Sequence, residues 1–433
     1  MKKPELLAPA GSLKSLRYAY AYGADAVYVG LPRYSLRVRE NAFDNEGLME
    51  GIRIARELGK QLYVACNIAA HNSKVATFLE DMDPVVAMQP DALIMSDPGL
   101  IHMARKRWPE MVIHLSVQAN VVNHAAVDFW QEQGISRIIL SRELDLNEVA
   151  EIRQRCPDME LECFIHGALC IAYSGRCLLS GYMNHRDANQ GACTNACRWD
   201  YTPQEAVQTL EGPLALKEKP EPPKEAPPPF LIEEKARPGE VMEAEEDEHG
   251  TYIFNSKDLR AIEHVETMAK MGIDSLKIEG RTKSFFYTAR TVQIYRQAID
   301  AAAEGKPFDP IWMQGLNELA NRGYTQGFYD RHAPDEEMQN YWEGSTNNSQ
   351  RFVAEVVDQL DDGQKIVVEV KNRFELGGAY ELMLPGGSIL MSVESIHNMQ
   401  GDPMTHAPGS GHRVVIPLPK KVDATYGLLI KKN

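Results

Sequence analysis

The sequence lacks any apolar run long enough to span a bilayer, and no long apolar segment follows Lys2 and Lys3. A membrane helix needs roughly 20 apolar residues, and a secretory signal needs an apolar core of roughly 7–15. These absences predict a cytoplasmic protein. In that compartment clustered cysteines indicate metal binding or catalysis rather than disulfides.

Positive charge is scarce, because 46 Lys and Arg residues stand against 61 Asp and Glu residues and the formal net charge is −15. This balance argues against a protein that binds nucleic acid through a broad basic surface. The charge is uneven, however, since the 13 acidic and 5 basic residues from Glu205 to Glu248 contribute −8. The other −7 is spread over a much larger surface, so a local basic patch is compatible with the composition.

Several motifs of common enzyme classes are missing. No G-x-G-x-x-G follows the first predicted strand, which argues against a dinucleotide-binding fold. There is no H-E-x-x-H of a zinc protease and no G-x-S-x-G of a serine hydrolase. The C-x3-C-x2-C loop of radical enzymes that use S-adenosylmethionine is also absent. A thiol nucleophile near His166 is conceivable at Cys170, but a cysteine protease needs one cysteine rather than a cluster.

What the sequence does contain is a dense group of cysteines, because five of the seven lie between residues 162 and 200. The last four, Cys170, Cys177, Cys193 and Cys197, have the spacing C-x6-C-x15-C-x3-C. Four thiolates are a complete ligand set for a 4Fe-4S cluster. A structural zinc site is the alternative, although zinc sites usually show two close cysteine pairs and only the last two cysteines are close here. The other three cysteines, Cys66, Cys156 and Cys163, are expected to be small apolar side chains buried in the core.

Short apolar strands alternate with amphipathic helices over the first part of the chain, which predicts a parallel sheet. Eight such strands are the number of a TIM-type (β/α)8 barrel, and a doubly wound sheet is the alternative. The predicted strands are Leu6–Ala8, Ala26–Gly30, Gln61–Asn67, Ala92–Ser96, Val112–Gln118, Arg137–Ser141, Glu160–His166 and Ser275–Glu279.

The domain organisation follows from changes in composition. The barrel is expected to occupy residues 1–340, with a flexible excursion rich in Pro and Glu at about 203–249. From residue 350 to 433 the pattern becomes alternating, with turns at Asp361–Gly363 and Pro385–Gly387. This pattern predicts a small antiparallel β-barrel domain at the C-terminal end.

Catalytic residues of a TIM barrel lie at the C-terminal ends of its strands. The residues predicted to lie there are polar, and the cysteine group begins directly after the seventh strand, so both features point to one face. The residues are Tyr28, Asn67, Asp97, Gln118, Ser141, Arg142, His166, Lys277 and Glu279.

Several stretches resemble the family of collagenase-like, or U-type, peptidases, and the resemblance covers nearly the whole chain. The matching motifs are Ala8–Gly11, His166–Cys170, Ser174–Cys177, Cys193 and Cys197 with Arg198, and Lys277–Arg281 with Tyr287. Members of this family include enzymes that hydroxylate RNA. The resemblance implies hydroxylation of the tRNA wobble uridine to 5-hydroxyuridine, with prephenate as the oxygen source and a 4Fe-4S cluster. It also implies that Cys170, Cys177, Cys193 and Cys197 hold the cluster, with Cys163 as the alternative to Cys197.

Roles for the other residues follow from that implied reaction. Prephenate carries two carboxylates, so guanidinium or ammonium groups are needed to bind it. His166, Glu279 and Lys277 are the candidates for proton transfer and catalysis, and Tyr28 is a candidate for stacking on the base. The cationic candidates for substrate binding are Arg176, Lys277, Arg281, Arg37, Arg39 and Arg142.

The implied partners are an anticodon loop of tRNA, whose base can be splayed out at low cost, and an electron donor. Two other functions are compatible with the sequence. One is peptidase activity, and the other is an RNA-binding scaffold with a structural metal.

Overall fold

A computed structural model describes residues 2–36, 43–169, 257–321, 323–330 and 350–432, together with the backbone of five short strands between residues 206 and 252. The strands before residue 330 are β1 (Glu5–Pro9), β2 (Ala26–Gly30), β3 (Gln61–Cys66), β4 (Ala92–Met95), β5 (Ile113–Leu115), β6 (Arg137–Ile139), β7 (Glu160–Ala168), β8 (Ala206–Val207), β9 (Ala215–Leu216), β10 (Phe230–Glu233), β11 (Val241–Asp247), β12 (Gly250–Tyr252), β13 (Asp258–Arg260), β14 (Ser275–Ile278) and β15 (Tyr324–Thr325).

The helices of the described ranges are α1 (Leu13–Ala21), α2 (Asn45–Glu57), α3 (Asn72–Val75), α4 (Phe78–Ala87), α5 (Pro98–Arg107), α6 (His124–Glu132), α7 (Leu146–Arg155), α8 (Val265–Met271), α9 (Phe285–Ala303) and α10 (Ile311–Asn317). Among these residues, no helix combines the length and the apolar character needed to cross a membrane.

Strands β1 to β7 pair in chain order, each parallel to the next, and β14 pairs in parallel with both β7 and β1. This double pairing closes an eight-stranded parallel barrel, which confirms the predicted fold class. The predicted strands agree with the observed ones to within a few residues. The largest difference is at β5, where the strand ends at Leu115 and Val117–Ala119 forms a 3-10 turn.

The segments that lead into three of the barrel strands repeat one hydrogen-bonding arrangement. A residue with positive φ ends the preceding helix, and an aspartate two positions later binds the backbone of the neighbouring strand through both its own N–H and its carboxylate. The carboxylate accepts from a buried strand N–H at 2.7–3.0 Å. The pairs are Asp25 with Leu6, Asp91 with Leu62, and Asp274 with Leu161.

Strand β7 contains a bulge that changes the direction of its last side chains. Lys277 lies opposite Phe164, but Ile278 lies opposite His166, so Ile165 is the extra residue. The bulged end of β7 then pairs with β13 in an antiparallel manner, and β13 pairs with β15. This antiparallel addition outside the barrel was not predicted from the sequence, because β13 is only three residues long.

The C-terminal strands are β16 (Gln350–Leu360), β17 (Lys365–Val370), β18 (Phe374–Glu375), β19 (Ala379–Leu384), β20 (Gly387–Ser392), β21 (Ile396–His397), β22 (Pro403–Met404), β23 (His406–Ala407), β24 (Arg413–Pro417) and β25 (Leu428–Lys432). Eight of them form one antiparallel sheet in the order β20-β19-β25-β16-β17-β24-β21-β22. The predicted antiparallel domain is therefore confirmed, and its apolar side chains form a core of their own.

The C-terminal domain packs against helices α1 and α9 of the barrel. The Tyr22 hydroxyl donates to the backbone oxygens of Met383 and Tyr426, at 3.0 and 2.9 Å. Arg290 forms an ion pair of 2.8 Å with Glu381, and both side chains are buried. These contacts fix the β domain next to the helices that follow β1 and β14. The predicted boundary between the domains falls in residues 331–349, outside the described residues.

The aspartate directly before β14 supplies a stability prediction. Asp274→Ala removes the acceptor of the Leu161 N–H and the partner of Arg153, with which Asp274 forms an ion pair of 3.0 Å. We expect the free energy of unfolding to fall by about 2–4 kcal/mol, because a buried donor and a partly buried cation lose their partner. The measurement is urea denaturation. Asp274→Asn, which keeps an acceptor, is the matched control and is expected to lose less; equal stability of Asp274→Ala and the parent would contradict the interpretation.

Candidate functional site

Three cations gather around two aromatic rings near the C-terminal ends of the barrel strands. The Lys277 ammonium lies 4.4 Å from the centre of the Tyr28 ring and 5.5 Å from that of Phe164. The Arg142 guanidinium lies 3.8 Å from the centre of the same Phe164 ring. Arg281 lies 5.7 Å from the Tyr28 ring centre. We call Lys277, Arg142, Arg281, Tyr28 and Phe164 the strand-end cluster.

Lys277 is held by an ion pair inside the barrel. Its ammonium lies 2.8 Å from a carboxylate oxygen of Glu162, and neither side chain is more than 4% exposed. The second oxygen of Glu162 lies 3.4 Å from Arg137, which also pairs with Glu5 at 2.6 Å. A column of alternating charges therefore runs along the barrel interior. Burial lowers the pKa of Lys277, and the attraction of Glu162 opposes this effect.

Arg281 connects β14 to the loop after β2. Its guanidinium donates to the Ser35 hydroxyl at 2.5 Å and also to the backbone oxygen of Leu36. The backbone N–H of Leu36 donates to Asn67 at 3.2 Å. Arg281 therefore positions the loop after β2, in addition to contributing its charge to the strand-end cluster.

Arg142 holds the end of β7. One nitrogen of its guanidinium donates to the backbone oxygen of Ala168 at 2.6 Å. Its Nε is buried and has no hydrogen-bond partner among the described residues. Buried N–H groups are normally paired, so this position is suited to an acceptor supplied by a ligand.

The Tyr28 ring is a support for the cations rather than an exposed surface. Its hydroxyl donates to the backbone oxygen of Ile278 at 3.1 Å, and only 6% of the residue is exposed. The stacking role predicted for Tyr28 stays a prediction, and in this structure the Lys277 and Arg281 cations lie 4.4 and 5.7 Å from the ring centre.

The other polar residues at the strand ends mainly bind one another or the backbone. Asn67 donates to Gln118 at 3.0 Å, and Asp97 caps α5 by accepting from the Leu100 N–H. The Ser141 hydroxyl donates to Glu143. These residues shape the loops around the cluster.

His166 lies apart from the cluster, on the opposite side of β7. Because of the bulge at Ile165, its ring faces a layer of tyrosines, with ring centres 5.4–5.8 Å away. The tyrosines are Tyr287, Tyr295 and Tyr324. Burial lowers the pKa of His166 to about 3, so the ring is neutral near pH 7. Its Nδ1 lies 3.3 Å from the Tyr295 hydroxyl, and its Nε2 has no partner among the described residues.

Glu279 lies where β14 leaves the barrel. Its backbone N–H donates to the backbone oxygen of His166 at 2.8 Å, and its backbone oxygen accepts from the Tyr287 hydroxyl at 3.3 Å. A Cβ added at Gly167, whose φ is +108°, would lie 2.5 Å from the Glu279 oxygen. Position 167 therefore has to be a glycine, because β7 and the end of β14 approach each other too closely for a side chain.

Several predicted site residues lie outside the described residues. They are Cys170, Cys177, Cys193, Cys197, Arg176, Arg37 and Arg39. Cys170 directly follows Leu169, which lies next to the last residue of β7. Across the described ranges, no group of three or more His, Cys, Asp or Glu residues is arranged to hold a metal ion.

The described cysteines are buried thiols. Burial is the main cause that raises the pKa of Cys66 and Cys163 to about 12 and that of Cys156 to about 11. Protonated thiols are poor metal ligands and poor nucleophiles. The small apolar role expected for these residues agrees with their burial.

Two residues that shape the cluster, Glu162 and Phe164, were not predicted from the sequence. They are two positions apart on β7 and therefore share one face of the strand, and the charged Glu162 between the apolar Leu161 and Cys163 is the signal that could have indicated them. Their contact with Lys277 depends on the pairing of β7 with β14, which are more than 100 residues apart in the chain.

A closed parallel barrel with a cationic cluster at its strand ends defines a TIM-barrel protein of the kind that binds ligands on this face. The chain belongs to peptidase family U32. The model of that family matches residues 11–339, and the model of the U32 C-terminal domain matches residues 348–430.

Relatives of known name share most of their length with this chain. The tRNA hydroxylation protein P of Escherichia coli is 57% identical, over 100% of this chain and 97% of that protein. The protein of the same name from Haemophilus influenzae is 54% identical, over 99% and 96%. A collagenase of Porphyromonas gingivalis is 27% identical, over 96% and 95%. Among solved structures, the U32 peptidase Mk0906 aligns with 39% of this chain and 70% of its own at 14% identity and a TM-score of 0.33.

The buried His166 ring predicts a specific response to acid. Its pKa is about 3 in the folded chain and 6.5 when unperturbed, so the unfolded chain takes up a proton first as the pH falls. Between pH 7 and pH 5 this difference costs about 2 kcal/mol of stability, and the loss continues towards pH 3. We expect His166→Phe, which cannot be protonated, to lack this part of the loss, as measured by urea denaturation at both pH values. His114 is a second buried histidine whose pKa is lowered, but it contributes equally to both proteins. An unchanged pH dependence in His166→Phe would contradict the prediction.

Proposed function

We propose that this chain hydroxylates the wobble uridine of tRNA to 5-hydroxyuridine, with prephenate as the source of oxygen. The observation that carries the proposal is the strand-end cluster, in which three cations surround two aromatic rings at the ligand-binding end of a TIM barrel. The relatives named tRNA hydroxylation protein P, which align along the whole chain, support the RNA substrate.

Prephenate is a suitable ligand for this cluster because its two carboxylates require two separate cationic partners. Arg142 follows β6 and lies over the Phe164 ring, whereas Arg281 follows β14 and lies beside the Tyr28 ring. The Arg142 Nε offers a buried donor without a partner among the described residues. Charge-assisted hydrogen bonds of this type contribute about 1.5–3 kcal/mol each. The ion pair with Glu162 opposes the lowering of the Lys277 pKa by burial, and so favours the charged ammonium that would attract a carboxylate.

The uridine is expected to enter this site unpaired, since an anticodon-loop base can leave the stack at low cost. Replacing the C5 hydrogen by a hydroxyl group is a two-electron oxidation in which a proton leaves the ring. Prephenate, as the oxygen source, would be reduced by the same two electrons as its C–O bond breaks and a C–H bond forms in its place. Glu279, at the end of β14, is the proposed acceptor, because its backbone is fixed by hydrogen bonds to His166 and Tyr287. His166 is buried on the other side of β7, and a positioning role behind Glu279 suits it better than contact with the base.

The proposal includes a 4Fe-4S cluster held by Cys170, Cys177, Cys193 and Cys197, which would supply one-electron redox chemistry when bound. The chemistry of the donor set fits, since four cysteines complete the coordination of such a cluster and Cys170 comes two residues after the end of β7. Cys163 fits less well as the fourth ligand. It is a buried thiol with a raised pKa in the middle of β7, roughly 17 Å from Ala168 at 3.3 Å per residue.

A peptidase function is the second candidate, and the similarity to a collagenase is the observation that favours it. Peptide cleavage by a cysteine requires a thiolate and a base. Within the described ranges, no cysteine thiol hydrogen-bonds a histidine ring, and the thiols are held protonated by burial. A peptide-cleavage assay with a Cys170→Ala control separates the two functions.

The tRNA function is tested by mass spectrometry of tRNA nucleosides from a strain that lacks the gene. We expect 5-hydroxyuridine to disappear and to return when the parent gene is supplied. Complementation with Arg142→Gln is expected to restore little of it, whereas Lys106→Gln, at an exposed position of α5, is expected to restore it fully. Normal 5-hydroxyuridine in the deletion strain would exclude the proposal.

Prephenate binding gives a readout that does not depend on turnover. We expect Arg142→Gln to weaken prephenate binding by isothermal titration calorimetry about 10- to 100-fold, the equivalent of one charge-assisted hydrogen bond of about 1.5–3 kcal/mol. The double variant Lys277→Met/Glu162→Gln removes both charges of the buried pair, so it avoids leaving one charge alone, and it is expected to weaken binding by a similar factor. Equal affinity in the parent and in both variants would exclude this binding site.

The metal content is tested by anaerobic purification with iron and sulfide analysis. We expect about four iron and four sulfide per chain, with neither present in Cys170→Ala and both retained in Cys163→Ala. A colourless protein with one zinc ion per chain would exclude the proposed chemistry and favour a structural metal.

A further inference from the structure

A second group of positive charges lies at the rim of the strand-end face, outside the strand-end cluster. Arg33 follows β2, and Lys74 belongs to α3, which follows β3. The Lys74 ammonium lies 5.6 Å and the Arg33 guanidinium 5.8 Å from the centre of the buried Tyr34 ring. The ammonium also donates to the backbone oxygen of Arg33 at 3.0 Å. The fold therefore holds two like charges around one aromatic ring.

The charges of this pair are only partly neutralised. Asp81 lies 3.0 Å from Arg33 and accepts from the Tyr34 hydroxyl at 2.5 Å. Across the described ranges, no carboxylate lies within 4.0 Å of the Lys74 ammonium. Burial, and then the charge of Arg33, lower the pKa of Lys74. In a chain with a formal net charge of −15, such an excess of positive charge is a local feature.

The Arg33–Lys74 pair is tied to the candidate site. Arg281 of the strand-end cluster donates to Ser35, and Tyr34 and Ser35 follow Arg33 directly. Consecutive Cα atoms are about 3.8 Å apart, so the Cα atoms of Arg33 and Ser35 are within about 7.6 Å of each other. Nearly half of the Arg33 side chain, 47%, is exposed. The three residues before Lys74, at positions 71–73, are also exposed and polar.

We infer that Arg33 and Lys74 bind the phosphate backbone of the tRNA next to the nucleotide that enters the strand-end site. This inference rests on the proposed function and names a contact for the same substrate. A phosphate chain suits the pair, because it presents anionic groups in succession to cations that lie side by side. The position of the two cations at the rim also suits phosphate binding, since the base must enter the barrel while its flanking phosphates stay at the mouth.

The test is the affinity for unmodified tRNA at several KCl concentrations, measured by fluorescence anisotropy with the full chain. The logarithm of the binding constant falls as the logarithm of the salt concentration rises, and removing one cation that binds a phosphate is expected to make this negative slope shallower by about 0.7–0.9. We expect Lys74→Ala and Arg33→Gln each to weaken binding several-fold and to reduce the slope by this amount. Lys74→Arg, which keeps the charge, is expected to retain both the affinity and the slope.

Lys106→Ala is the matched control, because it removes an exposed lysine from the C-terminal end of α5, at the opposite end of the barrel. Parent-like affinity and slope in Lys74→Ala and Arg33→Gln would overturn the inference while leaving the proposed function intact. An equal effect in Lys106→Ala would overturn it as well, since the effect would then be one of total charge. If the parent chain itself failed to bind tRNA, the proposed function would fail together with the inference. Thermal denaturation of each variant shows whether the fold is retained.

Discussion

The buried ion pair between Lys277 and Glu162 is the interaction on which the arrangement of the site depends. Moving two charges out of water is costly, and such a pair is retained only when its geometry and its further partners compensate. Here Arg137 and Glu5 continue the pattern of alternating charge toward the other end of the barrel. The pair directs the Lys277 ammonium between the rings of Tyr28 and Phe164. Removing Glu162 would leave the buried Lys277 ammonium without its ion-pair partner, whereas Glu162 on its own would still have Arg137.

Helix α9 connects this site with the C-terminal domain. Its first turns place Tyr287 against Gly280 and against the His166 ring, while Tyr295 follows two turns later. The helix also carries Arg290, which pairs with Glu381 of the C-terminal sheet. Thus one rigid element supports the backs of β7 and β14 and fixes the β domain beside the barrel. Contacts of this helix therefore join the second domain to the barrel.

Much of the fold was predictable because it depends on local pattern. Short apolar runs between amphipathic helices located the eight barrel strands, and an alternating pattern with turns at Asp361–Gly363 and Pro385–Gly387 located the C-terminal strands. Once eight strands close a parallel barrel, their C-terminal ends must share one face. Lys277, Arg142 and Tyr28 were therefore predictable as residues of that face, and the structure brings all three together. Glu162 and Phe164 were missed because they lie within a strand rather than at its end.

The sequence by itself determined the barrel, the antiparallel domain and the set of polar residues at the strand ends. Only the tertiary structure decided which of those residues meet. A single extra residue, Ile165, moves His166 from the barrel interior to the tyrosine layer, in which Tyr287 and Tyr295 belong to α9. No local pattern marks that bulge, because it exists only in the pairing of β7 with β14. The direction of a side chain on a strand depends on its register with a distant partner, and that register is a property of the folded chain.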